Sequence, residues 1–162
     1  MPARDRYHNN VKNALVKDGW PITHDPYRLV VQSWTLGDDN MLAAEKDGTN
    51  IAVQRRWIDP NSEFEDMSQT VGQYLLFQSA LQRLDPGRTL FLAISPKTHP
   101  MLFDDSLLMP LLGDCGLHML HFSEDVHQAN VWIQRENARR YYAEWLGMPV
   151  PDCVTPGPEG PG

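Results

Sequence analysis

Cysteine is scarce in this chain, long apolar runs are missing, and the charge balance leans away from nucleic acid. Only two cysteines occur, Cys115 and Cys153, too few for a disulfide framework, so a reducing cytoplasm is the expectation. No apolar stretch approaches the roughly 18 residues needed to cross a bilayer. The opening Met1-Pro2-Ala3-Arg4-Asp5 holds no apolar signal core, and no membrane partner is expected. The net charge of −7 excludes a protein that coats nucleic acid through bulk charge, although a small basic patch would be compatible with it. Cys-x-x-Cys pairs and P-loop, dinucleotide and serine-hydrolase fingerprints are all absent. The six histidines give no metal-ligand spacing: His118 and His121 lie three apart on a predicted strand and fall on opposite faces.

What is present fits one compact domain. A chain of 162 residues suits a single core, domains commonly running to roughly 100–200 residues. The first twenty residues carry Tyr7, Val11, Ala14 and Leu15 on one helical face, with Gly19 as a stop. A strand is predicted over 28–33. Apolar-rich runs at 41–45 and 50–57 flank Asp47-Gly48, a turn that accepts positive φ, and predict a hairpin. A long helix over 65–84 follows, its inner stripe read as Val71, Tyr74, Leu75, Gln78 and Leu81. Gly72 is read as permitting close approach of helix to sheet. The apolar run 89–94 predicts a strand buried on both faces. A short helix over 101–112, strands over 117–122 and 130–133, and a helix over 134–146 complete the order. The Pro/Gly-rich residues after 149 are expected to be disordered. Helix, three strands as a meander, helix, strand, then further helix and strands predict a three-layer α/β (α+β) domain on a mixed sheet.

The hairpin strand carries Val53-Gln54-Arg55-Arg56-Trp57. With period-two alternation Gln54 and Arg56 share a face, and Arg55 points the other way. Arg55 and Arg56 invite reading as a phosphate clamp, because guanidinium forks match phosphate oxygens, and Trp57 could stack on a base. Residues 35–66 hold eight acidic side chains against three basic, which favours internal ion pairing. The stretch 135–146 interleaves Arg135, Arg139 and Arg140 with Tyr141, Tyr142 and Trp145; packing of one aromatic edge with solvated arginines is the plainer reading.

The sequence resembles the XisH family, the excision controlling factors of the fdxN DNA element in cyanobacteria. The likeness rests on Met1-Pro2-Ala3-Arg4-Asp5-Arg6-Tyr7-His8, Val11-Lys12-Asn13-Ala14-Leu15-Val16-Lys17-Asp18-Gly19-Trp20 and Ile22-Thr23-His24-Asp25-Pro26-Tyr27. It continues in Leu36-Gly37, Leu42-Ala43-Ala44-Glu45-Lys46-Asp47-Gly48, Ile51-Ala52-Val53 and Val71-Gly72-Gln73-Tyr74, and runs to about Ile133. It implies a domain over 1–133 with the fold of PD-(D/E)XK nucleases; the residues beyond, without a counterpart in the family, are read from their own pattern as a C-terminal helix over 134–148 and a tail over 149–162. It also implies DNA or a protein of the XisI type as partner.

Nucleases of that layout carry Glu-x-Lys on the hairpin strand, where Gln54 and Arg56 stand here, and relatives tend to place an aspartate at the position of Thr35. Glu45 matches a glutamate of the family and is the weak candidate for a metal ligand. Mg²⁺ takes hard anionic oxygens; an amide lacks the charge, and arginine, with a pKa above about 12, is no base. The resemblance therefore implies a degenerate site at Glu45, Gln54 and Arg56, with Arg55, Arg56 and Gln73 as DNA- or phosphate-binding residues and no cofactor. One rival is a Mg²⁺-dependent endonuclease using Glu45 with Asp38 or Asp39. A third reading is a protein-interaction scaffold that never touches nucleic acid.

Overall fold

The computed structural model describes residues 3–37, 40–104, 108–123, 125 and 127–145. Helix α1 (Ala3–Lys17) leads into β1 (Ile22–His24), β2 (Leu29–Val31), β3 (Trp34–Leu36), β4 (Met41–Lys46) and β5 (Thr49–Gln54). Helix α2 (Glu63–Leu84), β6 (Arg88–Ile94), α3 (Met101–Asp104), α4 (Leu108–Asp114), β7 (Met119–His121), β8 (Val131–Ile133) and α5 (Arg135–Trp145) follow. Six strands form one mixed sheet in the order β1-β4-β5-β6-β7-β8; β5, β6 and β7 run parallel and the remaining neighbours antiparallel. The predicted α+β architecture is the one observed.

Local chemistry explains the parts that position the site. Asp47 and Gly48 both have positive φ, 52° and 81°, the geometry of a two-residue turn whose twist matches its strands. That turn sets β4 against β5 from Lys46↔Thr49 to Met41↔Gln54. The buried run from Leu90 to Ser95 makes β6 the central parallel strand. Alternation divides the core between the two sheet faces. Met41, Ala43, Ala52, Leu90 and Leu92 meet Tyr74, Phe77 and Leu81 of α2. Leu42, Ala44, Ile51, Val53 and Phe91 meet Tyr7, Val11 and Leu15 of α1. The Tyr74 hydroxyl, fully buried, donates to the Leu90 carbonyl at 2.9 Å and accepts from the His118 amide at 2.9 Å, pinning α2 to two strands.

Several expectations need correction. The strand predicted over 28–33 is two short strands joined at Gln32, whose φ is 56°, and they form a separate two-stranded sheet. The edge beside β4 belongs instead to β1, too short for a period-two signal. The predicted meander is thus broken after β1. The inner stripe of α2 runs through Met67, Thr70, Tyr74, Phe77 and Leu81, while Leu75 faces outward at 47% exposure. Gly72 is exposed, and a Cβ there would touch nothing, so it has no role in close packing. Gly37 is the glycine that space requires: its φ is 82°, and a Cβ would collide with the Tyr27 carbonyl and the Phe77 ring. The helix predicted over 101–112 corresponds to α3 and α4, with residues 105–107 lying outside the described residues. Residues 146–162, which include the end of the predicted C-terminal helix and the Pro/Gly tail, lie outside the described residues. No helix among the described residues is long and apolar enough to cross a membrane.

Candidate functional site

A cleft of about 660 Å³ opens where β5 ends and α2 begins, beside the start of α1. Its position follows from topology, because crevices in open α/β sheets form outside the carboxyl ends of parallel strands. Gln54, Arg55 and Arg56 reach this end of β5, and alternation sends them to different places.

Gln54 points toward α2 and is fully buried. Its Nε2 donates to the Thr70 carbonyl at 3.2 Å, and its Oε1 has no hydrogen-bond partner. Arg56, two residues on, extends along the same helix. One guanidinium nitrogen donates to Gln73 Oε1 at 3.2 Å and the other to Gln69 Oε1 at 2.8 Å, with the Asp66 carboxylate 3.7 Å away. Asp66, Gln69 and Gln73 recur at i, i+3 and i+7, one stripe of the helix. Asp66 also accepts from the Asp59 amide at 2.9 Å, which holds the β5–α2 loop against the first turn.

Arg55 points to the opposite side. It is buried, forms an ion pair with Asp25, and its amide donates to the Asn40 carbonyl at 2.6 Å. Lys12 reaches the second Asp25 oxygen at 2.8 Å. Burial alone pushes the Asp25 carboxyl up, yet the two cations together hold it below the usual carboxylate value. Arg55 thus joins α1, the β1–β2 loop and β5, and its fork is turned inward rather than toward a phosphate.

Glu45 is not part of this cluster. It lies opposite Asn50, whereas Gln54 lies opposite Met41, so four residues separate them. At about 3.3 Å per residue the gap is roughly 13 Å. Glu45 is instead half exposed near Arg88, 3.6 Å away. The expected triad of Glu45, Gln54 and Arg56 is therefore corrected to a pair: one strand face shared by residues four apart does not make one site. Thr35 lies on β3, exposed, and lines a small cavity with Gln73. Asp38 and Asp39 lie outside the described residues.

The donor set around Arg56 does not fit Mg²⁺. Two amide oxygens and a carboxylate all face a permanent cation, and a divalent ion would have to displace it. Among the described residues no group of three or more histidine, cysteine or acidic side chains is placed to hold a metal. Sequence reading missed Asp66, Gln69 and Thr70 as partners of the strand. The i, i+3, i+7 polar stripe is the signal that could have found Asp66 and Gln69; Thr70, which meets Gln54 through its backbone carbonyl, gives none. It missed Asp25 as well, which sits in the matching Ile22–Tyr27 segment. In α5, Arg135 and Arg140 are exposed, and the half-buried Tyr141 ring lies 5.9 Å from His121. His118 and His121 do turn to opposite faces, toward Phe91 and Phe103 respectively.

Fold and site together define an α+β domain on a mixed six-stranded sheet whose strand-end cleft is organised by an arginine. The family model for XisH protein matches residues 1–129, and the chain belongs to the XisH family. It is similar to the crystal structure of an fdxN element excision controlling factor protein from Anabaena variabilis, with 32% identity and a TM-score of 0.69 over 81% of this chain and 100% of that one. It is also similar to an XisH family protein from Nostoc punctiforme, with 31% identity and a TM-score of 0.65 over 79% of this chain and 98% of the other. No curated protein matches the chain.

Proposed function

We propose that this excision controlling factor assists rearrangement of a DNA element without cutting DNA, by engaging a protein partner of the XisI type. The observation that carries the reading is the Gln54–Arg56 pair. In a PD-(D/E)XK nuclease this strand end needs an anionic oxygen for the metal and a proton-shuttling amine. Here it offers a buried neutral amide and a guanidinium bonded to Gln69 and Gln73 with Asp66 beside it. Neither group activates water. The phosphate-clamp alternative draws little support, since Arg55 is buried on Asp25 and Arg56 is already bonded to α2.

Protein docking has a better surface. Val30, Val31 and Trp34 of the small hairpin and Leu76 and Leu84 of α2 are exposed together around an apolar groove of about 500 Å³. Trp34 is 72% exposed, and aromatic anchors of this kind dominate interface energetics. The reading is tested in two arms. Purified protein incubated with supercoiled plasmid and Mg²⁺ or Mn²⁺ is expected to leave it intact; nicking abolished by Glu45→Ala, Asp38→Asn or Asp39→Asn would establish the endonuclease reading instead. Co-purification with an XisI-type protein is expected to be lost in Trp34→Glu at unchanged thermal stability. Retention of the complex by that variant would refute the docking surface.

A further inference from the structure

A second cleft, of about 630 Å³, lies at the other end of β5 and on the other sheet face. Past the C-terminal end of α1 the sheet is lined by aromatic rings contributed by separate elements. Trp20 follows α1, Phe91 lies on β6 and Trp132 on β8; the two indoles sit 5.6 Å apart, and Phe91 meets Trp132 edge-on at 5.0 Å. Both tryptophans are half-buried, so indole surface remains accessible. The polar anchors that orient them are used up internally. Trp132 Nε1 donates to the Asp18 carboxylate at 2.8 Å, and Lys46 donates to the Asp18 carbonyl at 2.7 Å while standing 5.7 Å from the Trp20 ring centre.

His118 supplies the remaining feature. It is buried to 8% exposure and borders this cleft. Its Nδ1 accepts from the Arg135 amide at 3.0 Å, which fixes the neutral tautomer with the proton on Nε2. Among the described residues Nε2–H has no acceptor. Burial, and then Arg135, hold the ring below the ordinary histidine value, so it stays a neutral single donor at pH 7. Arranged together, these are two indole faces tilted 43° to one another, a preset donor, threonine hydroxyls at Thr49 and Thr89, and, among the described residues, no uncommitted lysine for a phosphate.

We propose that this cleft binds a planar heteroaromatic ring of nucleobase type, stacked on the Trp20–Trp132 wall and accepting a hydrogen bond from His118 Nε2–H. The volume suits such a ring, since small-molecule sites commonly span roughly 300–1,000 Å³. Base–aromatic stacking tolerates any base identity, because every base has a π-face. The ring can arrive as a free nucleoside or as an unstacked base of a single strand. The site shares no residue with the Arg56 cleft, and its success or failure is independent of the partner-docking reading.

The test uses the full chain, ¹⁵N-labelled, titrated with adenosine, guanosine, cytidine and thymidine, with a six-nucleotide single-stranded DNA, and with the same strand made abasic. Binding is followed by calorimetry and by the His118 imidazole resonances. Two variants accompany it: Trp132→Leu, which removes a wall, and Thr49→Trp, which fills the cleft from an exposed rim position without touching the core. A base-bearing ligand is expected to shift the His118 Nε2 signal, and both folded variants to lose at least tenfold in affinity. Nucleoside binding identifies a free ring as ligand, and binding by the oligonucleotide alone identifies an unstacked base. Equal affinity for the abasic strand, absence of any His118 shift at millimolar ligand, or full affinity in Thr49→Trp would overturn the proposal.

Discussion

Replacing Gln54 by Glu puts a carboxylate where the fully buried amide now donates to the Thr70 carbonyl. The donor is lost and an oxygen is left facing an oxygen, which costs about 1–3 kcal/mol. Desolvating the charge adds to this until the group keeps its proton instead, so a total near 3 kcal/mol at pH 7 is a fair working figure. For a chain of this size 1 kcal/mol corresponds to roughly 2–4 °C, so Tm should fall by about 6–12 °C. The pH dependence has a definite sign. A carboxyl whose folded pKa is raised regains its proton as pH falls, and the protonated acid can again donate to Thr70. The deficit relative to the parent protein should therefore shrink between pH 7 and pH 5. Scanning calorimetry at both pH values, with and without 10 mM Mg²⁺ or Mn²⁺, measures all of this. An unchanged Tm at pH 7, or a deficit erased by the divalent ion, would refute the reasoning. It would mean that the new carboxylate finds a cation site which the Arg56 guanidinium does not block.

Other outcomes follow from buried groups. His121 is 7% exposed, and burial drives its pKa down to about 4, so between the ordinary value of about 6.5 and that point the unfolded chain binds a proton that the native state refuses. Stability should fall as pH drops through that window, by up to about 3 kcal/mol, and His121→Leu should flatten the Tm–pH curve; parallel curves for the two proteins would exclude this origin. Tyr74→Phe removes the hydroxyl that serves both Leu90 and His118 and should cost about 2–3 kcal/mol in urea unfolding at unchanged m-value, whereas a loss under 0.5 kcal/mol would show that water replaces it.

The fold was legible where local chemistry and periodicity agree. Asp47-Gly48 between apolar runs dictates a two-residue hairpin, and the continuous run from Leu90 to Ile94 dictates a central strand. Legibility failed where an element is too short for a period to emerge, as in β1, or where a chain reversal depends on a non-glycine at positive φ, as at Gln32. Within the site, alternation correctly placed Gln54 and Arg56 on one face. It says nothing about distance along the strand, and the Glu45 that the resemblance groups with this pair lies at the other end of the hairpin. Register, fixed by the turn, decides which residues on a face are neighbours; composition does not. Of the partners of Arg56, Gln73 is placed at the site by the resemblance, whereas Gln69 shows only as one position of a polar i, i+3, i+7 stripe, a pattern that a solvated helix face also produces.

The Arg56 guanidinium also explains how the acidic side chains of the cleft are balanced among the described residues. A strand end crowded by Asp59 and Asp66 at the start of a helix carries negative charge that some cation must balance. The positive end of the α2 dipole supplies part of the balance, Asp66 lying in its first turn. Arg56 supplies the rest through a planar fork whose two nitrogens are each assigned to a separate glutamine. A lysine amine there would have to serve both amides from a single nitrogen instead of two spaced ones, and a divalent ion would meet two neutral oxygens where it favours anionic ones. The cation on the strand and the polar stripe on the helix are therefore mutually consistent. With Asp59 and Asp66 already beside the strand end, the neutral amides of Gln69 and Gln73 accept from the guanidinium without adding further negative charge to the cleft.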